Sequence, residues 1–347
     1  MKNSPHFRWF FPAFILSGLI CLSLISCSIS TVQGHESSFK TLLATIRKEA
    51  LDRGISQKTL DEALTGLKPI PEVIERDQNQ PESKLGLNEY LRRIISDKRV
   101  AKGRMKLAEH GDLLARISER YGVQPTVLLA LWGIETDYGR GTGNFPIIGS
   151  LATLVYDGRR SSFFKKELVD ALRILDESHI PLKQMKGSWA GAMGQLQFMP
   201  STFQRFAVDF DGDGRKDIWT SLGDSFASAA NYLSKSGWQS DQSWGHEVRL
   251  PDSFDIKSIG LEHLRPISEW QALGVHSLDG QNVAASDLLS SIIQPDGPAG
   301  RTFLVYGNYR VILKWNHSHN FAIAVGILSD LIGRSYGSTQ VFISSDE

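Results

Sequence analysis

Residues 128–140 read Leu-Leu-Ala-Leu-Trp-Gly-Ile-Glu-Thr-Asp-Tyr-Gly-Arg, an apolar run that carries one carboxyl, Glu135, near its end. A carboxylic acid held among apolar side chains is suited to proton transfer: burial disfavours its ionised form and lifts its pKa towards neutrality, where a general acid operates. Pro125 suits a first helical turn and Gly139 a stop, so the spacing predicts a helix with Glu135 in its last turn. The partial negative charge of a helix C-terminus pushes the pKa the same way. On helix position alone, a glutamate that turns to solvent is the commoner outcome. Asp137, two residues on, lies about 200° around the helix and cannot pair with Glu135 across a substrate.

Two further segments could do chemistry. Residues 188–203, Ser-Trp-Ala-Gly-Ala-Met-Gly-Gln-Leu-Gln-Phe-Met-Pro-Ser-Thr-Phe, form a small-residue turn followed by a helix start at Pro200. Gly191, Ala192 and Gly194 let backbone approach a ligand, and Ser188 and Gln197 can hydrogen-bond hydroxyl and acetamido groups, as sugar binding requires. Close packing of a turn on a helix accounts for the same segment taken alone. Residues 209–217, Asp-Phe-Asp-Gly-Asp-Gly-Arg-Lys-Asp, place side-chain oxygens at positions 1, 3, 5 and 9 and Gly at 6, the first part of an EF-hand calcium loop. The expected ligands are Asp209, Asp211, Asp213, the backbone carbonyl of Arg215, and Asp217. Position 12 is Thr220 where a bidentate Glu belongs, and Asp224 is the nearest carboxylate beyond it. A solvated acidic turn is the plainer alternative. A calcium ion here would be structural, since Glu135 lies on another element. His317 and His319 lack the companions of a zinc site, and no Gly-x-Ser-x-Gly elbow appears.

The elements that must position these residues are mostly helical. Phe39, Leu42, Leu43, Ile46 and Ala50 recur at helical spacing, Ser56 caps a second helix through Leu64, and Pro69, Pro71 and Pro81 mark an extended linker from about 69 to 88. Residues 90–121, 163–178, 224–236 and 317–333 read as helices. Between 241 and 315, short alternating segments at Glu247–Leu250, Ser291–Gln294, Thr302–Tyr306 and Tyr309–Lys314 predict small antiparallel strands. The chain of 347 residues, 41% apolar and 10% aromatic, can bury a sizeable core and is not disordered. Its 38 basic and 38 acidic residues balance, so the charge gives no reason to expect nucleic acid.

Lys2 and Arg8 precede an apolar stretch from Trp9 to Ile25, too short for a comfortable membrane span, which reads as an export signal. It ends Leu24-Ile25-Ser26-Cys27, which resembles a bacterial lipoprotein box with Cys27 lipidated as the first mature residue; an ordinary signal peptide cut nearby is the alternative. Ser28 after the cysteine resembles lipoproteins sent to the outer membrane, which implies anchoring at its periplasmic face. Both cysteines, Cys21 and Cys27, fall in this segment, so no disulfide is expected in the folded part.

Taken together, Ile134-Glu135-Thr136, Leu151-Ala152-Thr153-Leu154, Arg159-Arg160, Gly191-Ala192-Met193-Gly194, Gln197-Phe198-Met199-Pro200, Asp209 to Trp219 and Ala230-Asn231-Tyr232 resemble the membrane-bound type B lytic murein transglycosylases. The resemblance covers roughly residues 85–335. It implies a mainly α (α+β) protein: a lysozyme-like catalytic core with additional helices and a small antiparallel β region. The expected organisation is a signal peptide at 1–26, a tether at 27–36, an N-terminal helical segment and linker at 37–88, the catalytic core with its calcium loop at 89–240, a β-containing region at 241–315, and a C-terminal helix returning to the core within 316–347. The implied reaction cleaves the β-1,4 bond between N-acetylmuramic acid and N-acetylglucosamine in peptidoglycan and leaves 1,6-anhydro-muramic acid. Glu135 is the implied acid and base, and calcium the implied ion, with no organic cofactor.

By the same resemblance Ser188, Gln197, Tyr232 and Tyr90 are glycan contacts, and Trp315 with Asn316 falls where the family has a Tyr-Asn pair. Phe163 and Trp315 each stand where the family often has Tyr, so stacking is expected there rather than a phenol hydrogen bond. A hydrolytic muramidase would need a second carboxylate within about 10 Å of Glu135, and Asp157 and Glu167 are the nearest in sequence that could fold back. A non-catalytic peptidoglycan-binding lipoprotein is the third reading.

Overall fold

A computed structural model describes residues 25–79, 85–278 and 286–334. The expected signal segment up to residue 24, the side chain of Cys27 and the tail beyond 334 lie outside what is described. Fourteen helices run in chain order among the described residues: α1 (Ile25–Asp52), α2 (Gln57–Leu64), α3 (Pro71–Gln78), α4 (Leu87–Ile94), α5 (Asp97–Glu109), α6 (Gly111–Tyr121), α7 (Pro125–Thr136), α8 (Ile147–Asp157), α9 (Ser161–Asp176), α10 (Pro200–Phe206), α11 (Leu222–Lys235), α12 (Ile267–Ala272), α13 (Gly307–Trp315) and α14 (His319–Gly333).

Apolar patterning and caps explain most of the helical boundaries. Ser56 caps α2 by accepting the Thr59 N–H. The segment expected as tether lies within α1, and the segment expected as linker contains α3, with Pro71 at its first position, where a missing N–H costs nothing. Residues 90–121 break into three helices rather than one: Ser96 caps α5, and His110 separates α5 from α6.

Two small sheets interrupt the helices. Strands β1 (Phe145–Pro146) and β2 (Lys186–Gly187) pair antiparallel, while β3 (Gly245–Arg249), β4 (Arg265–Pro266), β5 (His276–Ser277), β6 (Leu289–Ile293) and β7 (Thr302–Val305) form an antiparallel sheet in the order β4-β6-β7-β3-β5. Three of the four expected strands appear there. The fourth, Tyr309–Lys314, is helix α13: it buries Asn308, Tyr309, Val311 and Ile312, a helical stripe that short alternation had mimicked.

The apolar interior divides into two large clusters. One gathers α7, α11 and α14 with parts of α6 and α13, and the other packs α1 and α2 against α8, α9 and α10. A third, smaller cluster lies under the five-stranded sheet around Trp270. Among the described residues, Tyr232 and Trp315 alone flank both large clusters. The N-terminal helices are tied to the core by a fully buried Asp77, which accepts hydrogen bonds from Arg159 Nε at 3.0 Å and Arg160 Nη2 at 2.7 Å. Their mutual geometry satisfies a carboxylate that would otherwise be costly to bury.

Candidate active site

Helix α7 is apolar all round and buries every residue from Val127 to Gly133, which is how a helix enclosed on all sides reads. It ends two residues earlier than Gly139 would stop it. Asp137, Tyr138 and Gly139 adopt left-handed backbone in succession, with φ of 51°, 58° and 83°. The Thr136 hydroxyl accepts the Gly139 N–H at 3.0 Å, and the Thr136 carbonyl accepts the Gly141 N–H at 2.9 Å, so the chain turns sharply just beyond Glu135.

Glu135 occupies the last turn of α7, half-buried, with an edge left towards solvent. Burial among protein atoms pushes its carboxyl up to about 7, against the opposing pull of a hydrogen bond from Trp315, whose indole N–H meets Oε1 at 2.9 Å. The donor expected to be lost where Trp replaces Tyr is thus present as an indole N–H. Tyr90 of α4 lies within electrostatic reach of Glu135: its phenol is pushed up first by burial and then by the Glu135 charge, while Arg99 opposes both. Asp137 points to Arg99, Lys102 and Arg140, away from any pairing with Glu135.

The expected sugar-binding segment forms a turn of closely approaching backbone. Ser188 N–H donates to the Ala192 carbonyl, and its Oγ accepts the Ala192 N–H at 2.9 Å. A Cβ on Gly187 would fall 2.0 Å from the Ala192 carbonyl oxygen, and one on Gly194 would fall 2.4 Å from that of Ile218, so main chain alone fits at both places. Gln197 has φ 53° and donates its amide N–H to the Thr142 and Gly194 carbonyls.

Tyr232 donates its phenol proton to the Lys314 carbonyl at 2.6 Å and packs edge-on against Trp315 and Phe206. Asn316 is exposed just past α13, where its Oδ1 accepts the Ser318 N–H. Phe163 is 46% exposed at the start of α9, against Phe164.

The two carboxylates that might serve a water-using mechanism have other partners. Glu167 is buried and accepts the N–H and hydroxyl of Ser201 at the start of α10, and Asp157 accepts from Gln78.

In the aspartate loop, carboxylate oxygens of Asp209, Asp211 and Asp213 all lie within 4.8 Å of one another. Oxygen ligands at this spacing fit a hard divalent cation. The loop curls over them: Asp209 accepts the Gly212 and Gly214 N–H groups, Asp211 that of Asp213, and Asp213 that of Arg215, whose guanidinium also pairs with it. Asp217 and Asp224 are not brought into this group. Asp217 accepts from the Trp219 and Thr220 N–H groups, and Asp224 spans the loop by accepting the Phe210 and Asp217 N–H groups. Both therefore brace the loop's ends.

One residue of the site went unremarked in the sequence: Gln195, whose main chain and side chain join α7 to the exit of the aspartate loop. A polar residue inside a small-residue turn carries no periodic signal, so nothing in its neighbours marks it.

A mainly helical core, a carboxyl held near neutrality at a helix end, and an adjoining glycine-rich turn describe a lysozyme-like architecture. The chain belongs to the transglycosylase SLT domain family, whose model matches residues 38–330. It is 33% identical over 306 residues to membrane-bound lytic murein transglycosylase B of Escherichia coli (strain K12), covering 83% of this chain and 81% of that one. Among solved structures, SltB3 from Pseudomonas aeruginosa in complex with NAG-anhNAM-pentapeptide superposes with a TM-score of 0.82 at 44% identity, covering 85% of this chain and 79% of that one. The Escherichia coli lytic transglycosylase Slt35 in complex with calcium matches with a TM-score of 0.71 at 28% identity, over 84% and 92% of the two chains.

Proposed function

We propose that the protein is a peptidoglycan lytic transglycosylase in which Glu135 carries out both proton transfers. The observation that carries the reading is a single carboxyl raised to about 7 at the end of α7, with Asp157 and Glu167 engaged elsewhere. Protonated Glu135 gives its proton to the oxygen linking N-acetylmuramic acid to N-acetylglucosamine as the C1–O bond breaks, and the substrate's acetamido oxygen stabilises the cation developing at C1. The resulting carboxylate, still held by the Trp315 N–H, takes the proton of the muramoyl C6 hydroxyl while that oxygen bonds to C1. No water is consumed. Ser188 and Gln197 orient the glycan, with Tyr90, Tyr232, Trp315 and Asn316 as its further contacts.

Asp209, Asp211 and Asp213 would hold calcium together with the Arg215 carbonyl, while Asp217 and Asp224 brace the ends of the loop; the ion would screen the carboxylates' mutual repulsion and stiffen the loop. The calcium complex of the Slt35 relative supports this assignment. The N-terminal segment is an export signal ending at a lipidated Cys27 that anchors the protein at the periplasmic face of the outer membrane; the membrane-bound relative supports that placement. No helix among the described residues is long and apolar enough to cross a membrane.

Mass spectrometry of muropeptides released from purified sacculi tests the reaction. Fragments should end in anhydro-muramic acid, one water lighter than a hydrolytic product. Reducing muramic ends that incorporate labelled solvent oxygen would instead identify a muramidase.

A further inference from the structure

The end of α7 is fixed from outside its own helix, and the fastening converges on Gln195. Its Oε1 accepts the Trp132 indole N–H at 2.9 Å, one turn before Glu135, and its carbonyl accepts the Thr136 hydroxyl at 2.8 Å, one residue after it. Its Nε2 donates to the Trp219 carbonyl at 2.8 Å, and its backbone N–H to the Ile218 carbonyl at 2.9 Å. Those two acceptors are held in turn: Ser225 donates to the Ile218 carbonyl, and Asp217 accepts the Trp219 N–H. Two residues along the chain lies Gln197. All four of these hydrogen bonds are made at a half-buried side chain and its own peptide, with no proton to give or take at neutral pH.

We infer that Gln195 is a positioning residue that sets where the Glu135 carboxyl stands relative to the Ser188–Gln197 turn, by gripping α7 on both sides of the acid and anchoring that grip to the exit of the aspartate loop. The inference rests on the reading of Glu135 as the acid. Reacting groups must be aligned to within a fraction of an ångström, so a helix end released from this grip loses rate before it loses affinity.

The test is a double-mutant cycle on turnover of purified sacculi. Gln195→Met keeps the side chain's length but removes its hydrogen bonds, and Trp132→Phe removes the other partner of one of them. Each single variant should lower kcat roughly 10- to 100-fold, and the double variant should be little worse than the worse single, because both break one connection. In a Glu135→Gln background, Gln195→Met should bind a defined N-acetylglucosamine–N-acetylmuramic acid oligomer within about threefold of the parent, which separates positioning from substrate binding.

Wild-type kcat in folded Gln195→Met, additive losses in the double variant, or a loss of binding that matches the loss of kcat would each overturn the inference while leaving Glu135 as the acid. Retained activity in Glu135→Gln would overturn both.

Discussion

At Glu135 the side chain and its neighbours oppose one another usefully. Burial holds the proton on, and the Trp315 N–H favours letting it go, so one group can serve first as acid and then as base. Glu135→Gln should lower turnover at least ~100-fold on the usual scale of general acid–base catalysis, with glycan binding retained; a variant keeping half its activity would reject the assignment. The same substitution should stabilise the fold in alkali. With its folded pKa near 7 against an ordinary 4.5, Glu135 binds a proton more tightly in the folded state, so its contribution is full below about pH 4.5 and is lost as pH rises through 7. The melting-temperature advantage of Glu135→Gln should therefore grow between pH 4 and pH 8, by no more than about 3 kcal/mol of stability. Trp315→Phe removes the donor that lowers the carboxyl's pKa, so the alkaline limb of the kcat profile should move to higher pH. An unmoved or lowered limb would separate Trp315 from the acid's ionisation.

At the scale of elements, legibility followed periodicity. Helix α7, α9, α11 and α14 carry long apolar patterns and were readable to within a few residues, as was the start of α10 at Pro200. The exact last residue of α7 is less legible, because left-handed backbone at Asp137 and Tyr138 depends on the Thr136 and Lys102 contacts made by folding. Helix α13 differs from the expected strand because the six residues Tyr309–Lys314 are too few to separate the two periods. The aspartate loop was legible as spacing, but the use of Asp217 and Asp224 as braces depends on backbone N–H groups that residue types do not reveal. Excess calcium should raise the melting temperature of the wild type by mass action, about 2.7 kcal/mol at a hundredfold excess over Kd, and leave an Asp211→Ala, Asp213→Ala variant where it was. Equal shifts in both proteins would place the ion elsewhere.

At the scale of the whole molecule, the site's location follows from the division of the interior. Tyr232 and Trp315 stand between two hydrophobic clusters that share no other flanking residue among those described, and Trp315 is also the donor to Glu135. A substrate bound as proposed, against those rings and the 188–197 turn, would touch both clusters at once. If the two clusters unfold as separate cooperative units, a glycan bound along the seam between them would act as a cross-brace. Calorimetry of the Glu135→Gln variant, which cannot consume its ligand, should show a broad or split unfolding transition that narrows and merges when a long glycan oligomer is added. An oligomer that raised the melting temperature of one half alone would mean that the strand lies to one side of the seam. A brace of this kind would make the wall polymer a structural component of the enzyme that cuts it, lost at the moment each strand is released.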